Sequence, residues 1–170
     1  KGGLLIAAAM LLMAMMGIFV RISNVSNPVF LFYTGIIGFA VILMIKIFRK
    51  NLLDLWPEKY KMLLLLSSIL GAGGIYTYFE AYKRTSVANA VLPHYTAPIF
   101  AAVLAFWFLK EKINRTTIIS LILSFTGVYL IFFQTNLNIT SSDTAGVIFS
   151  LISGIFYGSF IICNKKLMKH

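Results

Sequence analysis

A chain of 170 residues that is 59% hydrophobic and only 12% charged is too apolar for a soluble domain of ordinary composition. Its formal net charge of +10 does not indicate nucleic acid. The basic residues sit at the ends of apolar stretches, where they anchor to anionic headgroups, and no basic aromatic module is present. A single cysteine, Cys163, excludes an internal disulfide and a cysteine metal cluster.

Six apolar stretches follow one another at 2–20, 28–48, 62–82, 87–109, 116–133 and 144–162. Each falls in the range of about 17–25 residues that a helix needs to cross a hydrocarbon core of about 30 Å. Backbone polar groups must be satisfied inside a bilayer, and the stretches are too long and too uniformly apolar for barrel strands. The sequence therefore predicts an all-α polytopic membrane protein with six transmembrane helices. The first stretch has a longer apolar core than a signal peptide. Its Met10, Met13, Met15 and Met16 offer either an adaptable ligand surface or core filling. The second carries Gly35 and Gly38 near its middle, and the loop 49–61 sets Trp56 and Tyr60 at an interface. The third holds Gly71, Gly73 and Gly74, then Tyr76, Tyr78, Glu80 and Tyr82, and leads into the fourth through the short turn 83–86. The polar segment 134–143 reads as an outer linker before the sixth. If the chain weaves, all of the 15 Lys and Arg except Arg21, Lys83 and Arg84 fall on one side. Positive charge is retained in the cytoplasm, so a multi-pass protein of the cell membrane with a cytoplasmic N-terminus is expected.

The densest polar chemistry lies in the fourth stretch, in the run Asn89-Ala-Val-Leu-Pro-His-Tyr-Thr-Ala-Pro98. Pro93 and Pro98 remove two amide donors and free nearby carbonyls, which a bilayer tolerates only where protein, water or a ligand satisfies them. Asn89, His94, Tyr95 and Thr96 surround that opening. Two readings stay open: a kinked helix facing a substrate cavity, or a kink packed on its neighbours with its polar groups bonded to backbone. For His94 alone, packing is the commoner outcome. Glu80 is the only acid inside a stretch, which makes it a candidate for coupling or substrate binding. It lies about 27 Å along its helix, close to the outer boundary, with Lys83 and Arg84 following on the same face, so a local ion-pair anchor is favoured. Tyr82 reads as an interfacial belt residue and Tyr76 as the deeper cavity candidate. The small residues, including Ser153, Gly154, Ala97, Ala101 and Ala105, read first as packing surfaces. There is no His-Glu-x-x-His helix, no phosphate-binding glycine loop and no pair of intramembrane aspartates. No enzymatic activity, metal or cofactor is expected.

The run 81–131, AYKRTSVANAVLPHYTAPIFAAVLAFWFLKEKINRTTIISLILSFTGVYLI, resembles the EamA-like domain of the drug/metabolite transporter superfamily. In that family an aromatic-rich third helix leads through a short basic or polar turn into a small-residue helix. Pro98 fits the proline that follows, Glu111 the acid closing the fourth helix, and Gly127 the glycine of the fifth. Residues 3–21 and 146–165 fit the opening helices of a first and a second repeat. The resemblance implies ten helices in two inverted five-helix repeats, a central cavity, and alternating access for small organic solutes. The chain is then expected to comprise one five-helix repeat at 1–133, an outer linker at 134–143, and the first helix of an inverted second repeat at 144–170. Such a fragment has the missing second repeat or a homodimer partner as its complement. Phe32-Tyr33-Thr34-Gly35 stand where family members often carry an arginine, so substrate preference is not carried over. The first helix also lacks the acid of the related small multidrug pumps. The expected function is a secondary transporter of a small organic solute in the lipid bilayer. Substrate is expected near Tyr76, Asn89, His94, Tyr95 and Pro98, with Glu80 the lesser candidate for coupling. The alternative is a non-transporting membrane scaffold or regulatory module, whose fourth-helix polar groups are internally bonded with no water-accessible cavity.

Overall fold

The computed structural model describes residues 3, 7, 11, 15, 18–20, 22, 23, 25–48, 60–112, 114–134 and 141–168. Among them lie six helices: α1 (Asn27–Phe48), α2 (Lys61–Arg84), α3 (Val87–His94), α4 (Ala97–Leu109), α5 (Arg115–Gln134) and α6 (Ser141–Met168). Residues 18–20 and 22 upstream of α1 are helical as well. Among the described residues, four spans are long and apolar enough to cross a membrane: α1, α2, the stretch Val87–Leu109 that contains α3 and α4, and Asp143–Met168 within α6. Most of the first predicted span, the interfacial Trp56 and residues 135–140 of the predicted linker lie outside the described residues.

Local chemistry accounts for the boundaries. α2 ends where Thr85 turns extended, and Ser86 caps α3 by accepting from the Asn89 amide at 3.2 Å. Asn114 does the same for α5, its Oδ1 accepting from the Thr117 amide at 2.7 Å. Pro93 has no amide for the Asn89 carbonyl and Pro98 none for the His94 carbonyl. The fourth predicted span accordingly breaks into α3 and α4 at Tyr95 and Thr96. Pro98 occupies the first turn of α4, where a missing amide costs nothing. α4 stops at Lys110, left-handed at φ 53°, which turns the chain so that Glu111 meets Lys165 at 2.6 Å. α6 starts at Ser141, three residues earlier than predicted, which brings Asp143 into its first turn. There a carboxylate complements the helix dipole, and it accepts from Thr85 Oγ1 at 2.7 Å.

α6 is the hub. Its Phe156 and Phe160 lie over Gly71, Gly73 and Gly74 of α2, while Gly146 lies against Thr85 at the end of α2, so α2 and α6 are antiparallel. The pairs Ala90–Ser150, His94–Ser153, Ala97–Gly158 and Glu111–Lys165 advance together, so α3 and α4 run parallel to α6. α4 thus ends beside the C-terminal part of α6, and α6 begins at the other end of the bundle. α5, about 30 Å long at 1.5 Å per residue, covers that return.

The core joins Val20, Phe79, Ala81, Tyr82 and Ala90, with Phe30 meeting Phe79 edge-to-face at 5.3 Å. Tyr82 is therefore not the belt residue the sequence suggested. It is 6% exposed, and its hydroxyl is satisfied by donating to Tyr78 Oη at 2.8 Å. α1 is the opposite case: Gly35 and Gly38 have nothing within 4 Å of a Cβ built on them.

Candidate functional site

The site is built where the α3–α4 break lies on α6. Gly146, Ser150, Gly154 and Gly158 recur every four residues and so share one helix face. A Cβ on Gly154 would stand 2.9 Å from Thr96 Oγ1 and 3.1 Å from the His94 carbonyl, and one on Gly158 would stand 2.8 Å from the Ala97 carbonyl. Only small residues allow the broken backbone to approach this closely. Ser150 and Ser153 are fully buried on the same side. The Ser150 hydroxyl donates to the Ala90 carbonyl; the Ser153 hydroxyl donates to the Ser150 carbonyl at 2.6 Å and lies 2.8 Å from His94 Nδ1. Rings enclose the imidazole: Tyr78 stacks on it at 4.2 Å, and Tyr157 lies tilted at 5.3 Å.

One turn away, Asn89 is 4% exposed. Its Nδ2 donates to Thr85 Oγ1 at 3.1 Å, and the Thr85 hydroxyl in turn donates to Asp143 Oδ1. That order fixes the amide, leaving Asn89 Oδ1 as a buried acceptor without a partner among the described residues. An unsatisfied buried acceptor costs about 1–3 kcal/mol, so the position favours any donor that reaches it.

Residues 1–133 match the EamA-like transporter family. The chain belongs to that family. It is 27% identical over 136 residues to the uncharacterized transporter YoaV of Bacillus subtilis, covering 79% of this chain and 46% of that protein. It is 27% identical over 124 residues to human solute carrier family 35 member G1, covering 66% of this chain and 33% of that protein. An uncharacterized transporter of Helicobacter pylori is 26% identical over 139 residues, covering 82% of this chain and 46% of that protein. The chain thus spans half or less of the length of these curated relatives. No solved structure matches it.

Of the five residues the sequence singled out for substrate in this EamA-like chain, Asn89 and His94 stand on the α6 side of α3 and join the buried polar network. Tyr95 is 57% exposed, Tyr76 is 37% exposed and Pro98 is exposed, so these three face away from the packed interior. Glu80 stands apart from the break. Its Oε1 accepts from Asn27 Nδ2 at 2.7 Å and its Oε2 pairs with Arg84 at 2.9 Å, the anchor that spacing favoured. Lys83, expected as a second partner, donates instead to the Val25 carbonyl at 2.6 Å. Sequence reasoning undervalued Ser150, Ser153, Tyr78 and Tyr157. The four-residue recurrence of Gly and Ser along α6 is the signal that points to the serines. The tyrosines carry no such mark, because a tyrosine within an apolar helix serves equally well in packing or as an interface anchor.

Proposed function

We propose that the chain is part of a secondary transporter of the drug/metabolite kind, which moves a small organic solute across the membrane by alternating access. The observation that carries this reading is the doubly proline-broken α3–α4 span, whose polar turn lies on the Gly/Ser face of α6. Broken helices of this kind line the substrate sites of many transporters, because freed backbone groups and small neighbours leave room for a polar ligand. Asn89 and His94 hydrogen-bond the solute, Pro93 and Pro98 keep the helix open, and Tyr95, Tyr76 and Pro98 meet solute or a complementary half on the outer side of the break.

Six spans, with the N-terminus cytoplasmic, make up a first five-helix repeat at 1–133, a linker, and the opening helix of an inverted second repeat. The parallel course of α3–α4 and α6, with α5 returning between them, supports this weave, as does the greater length of the relatives. The second repeat, or a second copy of the chain, completes the cavity. In the full-length protein, the triple replacement Asn89→Leu, His94→Leu and Tyr95→Leu is expected to lower solute flux into membrane vesicles at least about tenfold at equal expression. Unchanged flux contradicts the assignment.

A scaffold or regulatory module is the second reading, favoured by the internal bonds Ser150–Ala90, Ser153–His94 and Asn89–Thr85. It requires the break to stay closed to water throughout the protein's working cycle.

A further inference from the structure

We propose that Ser150 and Ser153 set the tautomer of His94, so that Nδ1 carries the proton and Nε2 is an open acceptor for an N–H or O–H donor on the solute. The solute half of this inference rests on the transport reading above; the tautomer half does not. A serine hydroxyl has one proton. Ser153 Oγ lies 2.6 Å from the Ser150 carbonyl, which can only accept, and 2.8 Å from His94 Nδ1. If Nδ1 were also an acceptor, two acceptors would compete for one proton, and one close contact would set lone pair against lone pair. With Nδ1 protonated, every group is used: Nδ1–H donates to Ser153, Ser153 donates to the Ser150 carbonyl, and the Ser150 hydroxyl donates to Ala90. A neutral imidazole protonated at Nδ1 is an acceptor at Nε2. Nε2 has no hydrogen-bond partner among the described residues.

The surroundings select the chemical class. Tyr78 and Tyr157 cover the imidazole from α2 and α6 with their phenol rings. The basic residues of α2 and α6 that make ion pairs do so elsewhere, Arg84 with Glu80 and Lys165 with Glu111. A carboxylate or phosphate at Nε2 would oppose its lone pair, and among the described residues the contacts of His94 are Ser153, Tyr78 and Tyr157, none of them a cation. An amine or ammonium donates into the lone pair and is attracted by the tyrosine faces. The site in this half of the protein therefore takes a donor-bearing, neutral or cationic group.

The test uses the full-length protein, labelled with nitrogen-15 at histidine and reconstituted in lipid bilayers. His94 signals are identified by their absence from His94→Asn. Nitrogen NMR is expected to report a protonated Nδ1 and an unprotonated Nε2. Ser153→Ala should abolish that preference, and Ser153→Thr, which keeps the hydroxyl, should retain it. An Nε2-protonated or doubly protonated ring in the wild type, or an unchanged tautomer in Ser153→Ala, overturns the inference. The wild-type spectrum decides the tautomer itself even if a variant fails to fold, and the two serine variants decide what sets it.

Ligand class is read by thermal unfolding with two primary amines, benzylamine and phenethylamine, against the matched acids benzoate and phenylacetate. His94→Asn keeps an N–H towards Ser153 but offers nothing at the Nε2 position. Amines are expected to raise the wild-type unfolding temperature and to lose that effect in His94→Asn. Stabilisation by the acids, by neither set, or by amines equally in His94→Asn overturns donor recognition. Binding through His94 without flux into vesicles overturns the transport reading instead and leaves this one standing.

Discussion

Both carboxylate oxygens of Glu80 are occupied, and its side chain is only 16% exposed, so the one acid within the apolar stretches serves to join α1 to α2. Arg84 is held twice, by Glu80 and by the Phe149 ring 4.9 Å from its guanidinium carbon, which extends the anchor to α6. Glu80→Gln keeps the shape and one acceptor but removes the charge. It is expected to cost about 1–3 kcal/mol of stability, read as a lower unfolding temperature in detergent, while flux of the folded protein persists. Flux abolished in a protein of normal stability would return Glu80 to the coupling role. The spacing of Glu80, Lys83 and Arg84 was enough to foresee the pair with Arg84. It could not foresee Asn27 or Val25, which come from 53 and 58 residues away in sequence. Tyr82 was misplaced for a related reason: depth along a helix does not say which face meets lipid and which meets a neighbour.

At the level of elements, the prolines announced the break in the fourth span, because each removes a named hydrogen bond whatever the surroundings. Which helix would lie on the break was not legible, since that depends on pairing between segments about 60 residues apart. The Gly and Ser ridge of α6 is the device that makes the pairing close. Gly158→Ala drives a Cβ to 2.8 Å from the Ala97 carbonyl, backbone that has no rotamer to yield. A loss of about 1–3 kcal/mol is expected by the same unfolding measurement. Gly38→Ala meets nothing within 4 Å and gains helix propensity, so a change within about 1 kcal/mol is expected in this chain. Equal losses at the two positions would contradict the assignment of α6 as the packing hub.

For the whole molecule, the helical class was legible because composition and stretch length leave a membrane chain few alternatives. A weaving chain predicts that the third span runs antiparallel and the fourth parallel to the sixth, and the contacts of α6 with α2, α3 and α4 agree with those relative courses. Of the five residues predicted to meet substrate, the place of Asn89 and His94 in a buried polar network was legible from polar residues in an apolar run. The outward course of Tyr95, Tyr76 and Pro98 was not, because position along a helix does not say which face its neighbours cover. The central claim is that the α3–α4 break becomes open to water from each side of the membrane in turn. The most direct measurement places Thr96→Cys in a full-length protein with its other cysteines replaced, including Cys163, and treats oriented membranes with an impermeant thiol reagent. Alternating access predicts labelling of residue 96 from both faces; failure to label from either face, in a protein that is folded and inserted, would contradict it.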